Sequence, residues 1–266
     1  MIIDTIVFYW IFIFLVFSFI ILLTLTGIFF LIKAIKKKMK NMAVLGFGSL
    51  AFSLGFIANF IFNMGQVFQE YFIFTGLISV VIFTNVTFYK GQMKKANIIL
   101  IIVIILGVIQ IILLHLFYPL EIKKSTYYFL RLSLDLPYVL LVFNWFAYSC
   151  YLAYKRLKIY DVEPWIKVRY KLLTISSFII SLYPIPRFFQ PKNIPWGDPN
   201  NVISLIIFGI TAVLGFTYAI LLSISWFMPE WMKKHFNKDF QRVMDKDYSE
   251  DELLNMIKNE LKKPKA

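Results

Sequence analysis

Seven long apolar runs divide the chain, at 6–32, 43–64, 71–89, 97–118, 127–153, 171–187 and 202–228, with short polar segments between them. Met1 to Leu31 holds a single charge, Asp4, and Ala96 to Leu120 holds none unless His115 is protonated. A helix needs about 20 apolar residues to cross the hydrocarbon of a bilayer, and the runs reach that length. The pattern predicts an all-α, polytopic membrane protein: a seven-transmembrane-helix bundle over residues 1–228, followed by a tail over 229–266. The sixth run is the shortest and ends in Tyr183-Pro184-Ile185-Pro186. Proline has no amide to donate to the next turn, so it is a natural stop for that helix.

Composition agrees with the pattern. Hydrophobic residues make up 59% of the chain, charged residues 16%, and mean hydropathy is +0.71. A soluble domain carries roughly 25% charge to clothe its surface. The net charge of +13 raises the question of a nucleic-acid surface. The basic residues, however, do not cluster on one soluble domain; they sit between apolar runs, where anionic lipid headgroups are their natural counterions. The segments 33–42, 90–95 and 154–171 hold five, three and six of them, and the tail holds nine, which together is 23 of the 28. Lys123, Lys124, Arg131, Arg187 and Lys192 belong to the opposite face. Basic residues collect on the cytoplasmic side, so this alternation predicts an N-terminus outside, a C-terminus in the cytoplasm and an odd number of spans in the cell membrane. The first run lacks a basic leader and a small-residue cleavage site and is too long for a signal peptide, so a retained first helix is expected. The bias toward Lys, Ile, Phe and Asn points to an AT-rich prokaryotic genome.

The connections on the outer face are short except for 188–201, FFQPKNIPWGDPNN, whose prolines, glycine and asparagines predict an ordered, turn-rich loop with Trp196 on the headgroup surface. Past the seventh run, Pro229 suits a helix start. Trp231, Phe236 and Phe240 then alternate with Lys233, Lys234 and Lys238, as in a helix lying in the interface. Ser249 and Glu252 form a capping-box pattern ahead of a second amphipathic helix carrying Leu253, Leu254, Ile257 and Leu261 on one face. A tail of this length is too short for a catalytic domain.

Chemistry-bearing residues are sparse. Cys150 is the single cysteine, which excludes an intrachain disulfide or a cysteine-based metal site, and His115 and His235 fall on opposite faces of the membrane. No cofactor set and no enzymatic cluster is expected. Polar residues in lipid face other helices. The second helix carries such a stripe (Gly48, Ala51, Gly55, Asn59, Asn63, Gln66, Glu70), the sixth Thr174, Ser177 and Ser181, and the seventh Ser204, Thr211, Gly215, Tyr218 and Ser225. For the small residues, helix packing is the reading of first resort. On the fifth helix Arg131 and Asp135 are four apart, on one face and within reach of each other, and Tyr138, Trp145 and Ser149 continue that face. A charge at membrane depth costs on the order of 2.5–3.5 kcal/mol by insertion scales and therefore has a partner and often a task. Either a satisfied pair that only orients the helix or a functional pair meets that demand. His115, Glu70 and Arg187 fall at the same level, so a single ring of helices would gather Asn59, Asn63, Glu70, His115, Arg131, Asp135, Tyr138 and Arg187 around an outward-facing ligand pocket. An interfacial role for His115 stands beside that reading. The inner half offers only Asn85, Asn144 and hydroxyls, so no continuous polar path crosses the membrane.

This layout resembles G-protein-coupled receptors and rhodopsins. Their motifs are absent: the third helix ends Thr87-Phe88-Tyr89-Lys90, the seventh has no Asn-Pro-x-x-Tyr, and no lysine between Val202 and Met228 could carry a retinal. Over residues 30–228 the chain resembles the seven-helix sensor modules that precede prokaryotic histidine kinases and cyclases. The resemblance rests on the Phe-rich third helix ending Phe88-Tyr89-Lys90 and on Tyr151-x-x-Tyr154-Lys155-Arg156 leading through Lys167-Val168-Arg169-Tyr170. It implies a receptor that binds a small ligand and signals through a separate cytoplasmic protein, since no output domain follows. The competing expectation is a transporter or channel. Sugar transporters of the SWEET type share the layout, and Lys36–Phe56 and Ile166–Leu182 echo one another as their repeats do, but such folds use prolines within paired helices and here none precedes Pro119. The ligand and the oligomeric state stay open. The topology has a direct test: a reporter active only in the cytoplasm is expected to work after residues 40, 93, 160 and 266 and to stay silent after 67, 122 and 195.

Overall fold

The computed structural model describes residues 2–117, 125–160, 162–238, 240, 252 and 254–256. Lys123 and Lys124, and Ser249, Leu253, Ile257 and Leu261 of the expected tail helix, lie outside the described residues. Among these residues every regular element is helical. Seven helices are long and apolar enough to cross a membrane: α1 (Ile2–Lys37), α2 (Lys40–Phe60), α3 (Gln66–Phe88), α4 (Met93–Phe117), α5 (Ser125–Leu157), α6 (Pro164–Ser181) and α7 (Val202–Phe227). The chain is a multi-pass membrane protein. A short α8 (Glu230–Phe236) follows Pro229.

Two boundaries differ from the apolar runs for local reasons. Helix α2 stops at Phe60 because Asn63 and Gly65 take positive φ values of 52° and 87°, which turn the chain into α3. Helix α6 begins at Pro164, seven residues before the apolar run, since a proline fits the first helical turn where its missing amide is not needed. After Ser181 a single 3-10 turn, Pro186–Phe189, continues the sixth span to its end.

Each helix packs on its neighbours in sequence, and α1 closes against α7. Helices α3 and α5 also touch directly. Helix α4 therefore lies outside their seam, as a buttress on a ring of the other six. Its buried residues, Ala96, Val103, Gly107, Gln110 and Leu114, form one narrow stripe, and most of the rest of its surface is apolar and exposed or half-exposed.

Small residues set the tightest seams. A Cβ at Gly46 would stand 3.0 Å from the Gly27 carbonyl oxygen and 3.0 Å from Phe30 Cβ, so α1 and α2 meet backbone to backbone. Along the other side of α2, Gly48 faces Gly76 and Ser79 of α3, and Gly55 faces Gln69 and Phe72. The α2 stripe is packing surface as far as Gly55, as the small residues suggested. Ser204, Thr211, Tyr218 and Ser225 of α7 and Ser177 and Ser181 of α6 are likewise buried, and Thr26 of α1 shares a 2.9 Å hydroxyl–hydroxyl hydrogen bond with Ser223 of α7.

Toward the end that carries the α1–α2, α3–α4 and α5–α6 connections, called the basic end below, aromatic rings fill the ring of helices. Phe83 stands 6.0 Å from Phe146 and 6.4 Å from Trp226, and Phe30 stands 5.0 Å from Trp226, centroid to centroid. Arg169 is buried here, its guanidinium 4.6 Å from the Trp165 ring and 5.4 Å from Trp226. Beside them Asn85 donates to the Ala96 carbonyl (2.8 Å) and accepts from Trp145 Nε1 (2.9 Å), tying α3 to α4 and α5. Helix α8 is fastened to the α5–α6 connection by Asn237, which donates to Glu163 at 3.2 Å.

The glycine seam generates a contrast. Gly46→Val is expected to destabilise the protein by about 1–3 kcal/mol through overpacking against backbone that cannot yield. Gly215→Ala, where the nearest atoms to a new Cβ are 3.6 Å away, is expected to be tolerated. Thermal unfolding in detergent checks the pair, and equal effects would contradict the close α1–α2 approach.

Candidate functional site

At the end opposite the basic one, four ionisable groups meet across three spans. Arg131 on α5 is 93% buried as a side chain, and its Nη1 donates to Glu70 Oε1 of α3 at 3.2 Å. One turn further along α5, Asp135 accepts from Arg187 Nη1 at 3.3 Å, with side-chain exposures of 16% and 12%. Arg187 also donates to Tyr183 Oη at 2.7 Å, and that hydroxyl donates to Asp135 at 3.5 Å. Arg187 belongs to the 3-10 turn after α6, so the prolines that stop α6 also aim this guanidinium back at α5. The spacing predicts that Arg131 and Asp135 pair with each other. This expectation is corrected: each reaches across to a different helix, because the ring supplies an opposite charge on either side of α5.

Two connected cavities surround these pairs. The outer one, about 340 Å³, is lined on its polar side by Asn59, Gln66, Gln69, Glu70, Arg131 and Arg187. Asn59 donates to Gln69 at 2.6 Å. The outer loop forms part of its wall. Gln190 donates to the carbonyls of Ile194 and Pro195 at 2.9 and 3.2 Å and to Ser204 at 3.0 Å. Ser204 in turn receives the Gly197 amide at 3.0 Å and donates to the Pro195 carbonyl at 2.8 Å. The loop 188–201 is ordered, as its turn residues predict, by being stitched to the first turn of α7. Trp196 keeps 39% of its surface exposed. It packs edge-on to Phe208 at 4.8 Å and lines both cavities.

The inner cavity, about 120 Å³, lies deeper in the ring and is walled chiefly by Phe19, Phe52, Phe143, Ile180, Thr211 and Tyr218, with Asp135 and Glu70 at its mouth. Phe56, Phe60, Glu70, Ile73, Tyr183 and Trp196 line both cavities and form the neck between them. The aromatic cluster of Phe30, Phe83, Phe146 and Trp226 lies between the inner cavity and the basic end.

The structure brings Asn59, Glu70, Arg131, Asp135 and Arg187 together, and it leaves three expected site residues elsewhere. Asn63 is exposed in the α2–α3 turn, beyond the end of its helix. His115 is exposed on α4, its Nδ1 2.9 Å from the Ile111 carbonyl and its Nε2 3.4 Å from Tyr71 Oη. It lies on the outside because α4 does. Tyr138 is 4% exposed in the core, turned toward Gly107 of α4 and away from both cavities. Gln69, Tyr128, Tyr183 and Gln190 were missed. Gln69 follows the α2-face stripe only after the turn at Gly65, and the other three are set by the outer loop and the α6 stop, whose path no periodicity gives. Among the described residues no group of three His, Cys, Asp or Glu side chains stands close enough to hold a metal ion.

Pro137 sits inside α5, two residues beyond Asp135. Its missing amide leaves one carbonyl without a helical partner, which weakens the helix at that turn.

The ion pairs can be read out by double-mutant cycles in detergent. Arg131→Leu or Glu70→Leu alone is expected to cost about 1–3 kcal/mol, discounted for the partial exposure of Glu70, and the double substitution less than the sum. Coupling of Arg131 to Asp135 in place of Glu70 would show that the pairing is within α5 after all.

No protein-family model, no curated protein and no solved structure matches this chain, so its function is read from the chemistry of this cavity.

Proposed function

We propose that this protein is a seven-helix sensor of the cell membrane, with its N-terminus outside and its C-terminus in the cytoplasm. Its outward-facing cavity binds a small ligand, and a change of helix packing passes that event to a separate cytoplasmic signalling protein. The orientation is supported by the 23 of 28 basic residues assigned to the segments and tail at the basic end. The resemblance to the sensor modules of prokaryotic histidine kinases supports the same reading.

The observation that carries the proposal is one-sided access. A polar cavity opens at one end and narrows into an apolar chamber, and the aromatic cluster of Phe30, Phe83, Phe146 and Trp226 fills the ring beyond it. A receptor needs no more than this, because a ligand shifts an equilibrium between two packings by its differential affinity for them. Pro137 beside Asp135 gives α5 a place to flex. A carrier has to open the same site to both sides in turn.

Single cysteines in a Cys150→Ser background separate the two. Ile73→Cys in the neck and Thr211→Cys in the chamber are expected to react with a membrane-impermeant maleimide in right-side-out vesicles only. Asn63→Cys serves as the outside control and Asn41→Cys as the inside one. Labelling of position 211 from both sides, with the two accessibilities trading off on addition of solute, would establish a carrier and overturn the sensor.

A further inference from the structure

The two cavities differ in chemistry, and their order defines what fits. Among the described residues the outer one is lined by two guanidiniums, Arg131 and Arg187, and one carboxylate, Glu70. Asp135 lines the inner chamber beside Glu70 and does not line the outer cavity. Both carboxylates are already met, Glu70 by Arg131 and Asp135 by Arg187 and Tyr183. Beside the outer cavity the Arg187 guanidinium and the Tyr128 side chain face each other, the guanidinium 5.9 Å from the ring and in reach of the hydroxyl, and among the described residues neither the buried Arg187 Nε nor the Tyr128 hydroxyl makes a well-directed hydrogen bond. A guanidinium N–H and a phenol O–H set side by side without a well-directed hydrogen bond can both donate to one acceptor placed between them. An arginine presents that acceptor with a two-pronged fork suited to a carboxylate. Directly beneath, the neck leads into a chamber whose wall is mostly aromatic and aliphatic.

Resting on the reading of this cavity as a ligand site, we infer that the ligand is a monoanionic amphipath: a carboxylate head held by Arg187 and Tyr128 in the outer cavity, with an aliphatic or aromatic body passing the neck into the chamber below. The incoming carboxylate competes with Asp135 for Arg187. Binding therefore loosens the α5 link to the turn after α6, two residues from the soft point at Pro137, which connects occupancy to a change in packing. A cationic amphipath would have to displace a guanidinium from Asp135 or Glu70 and would offer no acceptor to Arg187 and Tyr128.

The test uses the full chain in nanodiscs, with binding measured by titration calorimetry against empty nanodiscs. The probes are octanoate, octylamine and acetate. Octanoate is expected to bind saturably and at least about tenfold tighter than either, since a hydrogen-bonded charge contact and the buried body are each worth that much. Asp135→Asn removes the competing carboxylate and is expected to tighten octanoate several-fold, whereas a purely structural Asp135 would give no gain. Gly215→Leu, which fills the chamber, is expected to weaken octanoate by about tenfold and leave acetate unchanged. A chain-length series separates the source: affinity that peaks at short chains marks a solute from water, and affinity still rising at palmitate marks one drawn from the bilayer. Tighter binding of octylamine, or equal binding of all three probes, overturns the anionic amphipath. These results do not depend on sidedness, so this inference can fail while one-sided cysteine labelling still stands, and the reverse.

Discussion

A guanidinium and a carboxylate buried among apolar helices each need an opposite charge, and the structure depends on how α5 meets that demand. Arg131 and Asp135 lie one turn apart and could have neutralised each other on the helix surface. Instead Arg131 reaches Glu70 on α3 and Asp135 receives Arg187 from the turn after α6. Breaking either pair strands a charge in low dielectric, which costs far more than an intact pair contributes. The two crosswise bridges therefore specify which helices stand on either side of α5 at this end. They also hold the helices apart by the length of two long side chains, and the outer cavity occupies that gap.

The other end is governed by the opposite rule. There α1 and α2 meet backbone to backbone at Gly27 and Gly46, while Gly48 admits Ser79 and Gly76 admits the Phe52 ring between α2 and α3, and dispersion between closely packed surfaces replaces the hydrophobic effect that lipid removes. Aromatic rings occupy what space remains. A splayed, polar half and a dense, aromatic half within one ring produce a site that opens one way. The asymmetry arises from side-chain size and charge, with no need for a broken helix.

This division explains what the sequence made legible. Seven spans follow from length and hydropathy, and the inward stripes on α2, α6 and α7 follow from small and hydroxyl residues at helical spacing, because both depend on local pattern. Asn59, Glu70, Arg131, Asp135 and Arg187 were gathered correctly by depth, since a charge in a span has few places to go. Depth says nothing about angle around the ring. Helix α4 is apolar almost all round, so nothing but Ala96, Gly107 and Gln110 hints at which narrow stripe packs inward. Its displacement outside the α3–α5 seam put His115 on the lipid side and turned Tyr138 toward Gly107 instead of the cavity. Asn63 was lost to a turn that begins at its own positive φ. Tyr128, Gln190 and the packing of Trp196 on Phe208 depend on the outer loop and the nearby helix ends, where the Gln190–Ser204 hydrogen bonds, and not hydropathy, decide the path.

Helix α6 links the two halves. At one end its stop carries Tyr183 and Arg187 into the ion-pair network; at the other, Arg169 is stacked between Trp165 and Trp226. Trp226 belongs to the aromatic cluster beneath the inner chamber and also borders a small cleft at the basic end, where Lys33, Thr87 and Leu254 of the tail come together. On the proposed reading, a change at Arg187 passes through the turn after Ser181 to α6, and so to the Arg169 stack and, through Trp226, to the surface next to the tail. This is the proposed route from occupancy to output, a contiguous path made of α6 and the turn after it, with a charged contact at each end. Its strength rests on Arg169 being buried among aromatic faces, where a guanidinium has few alternative positions and small displacements of the helix are costly to absorb.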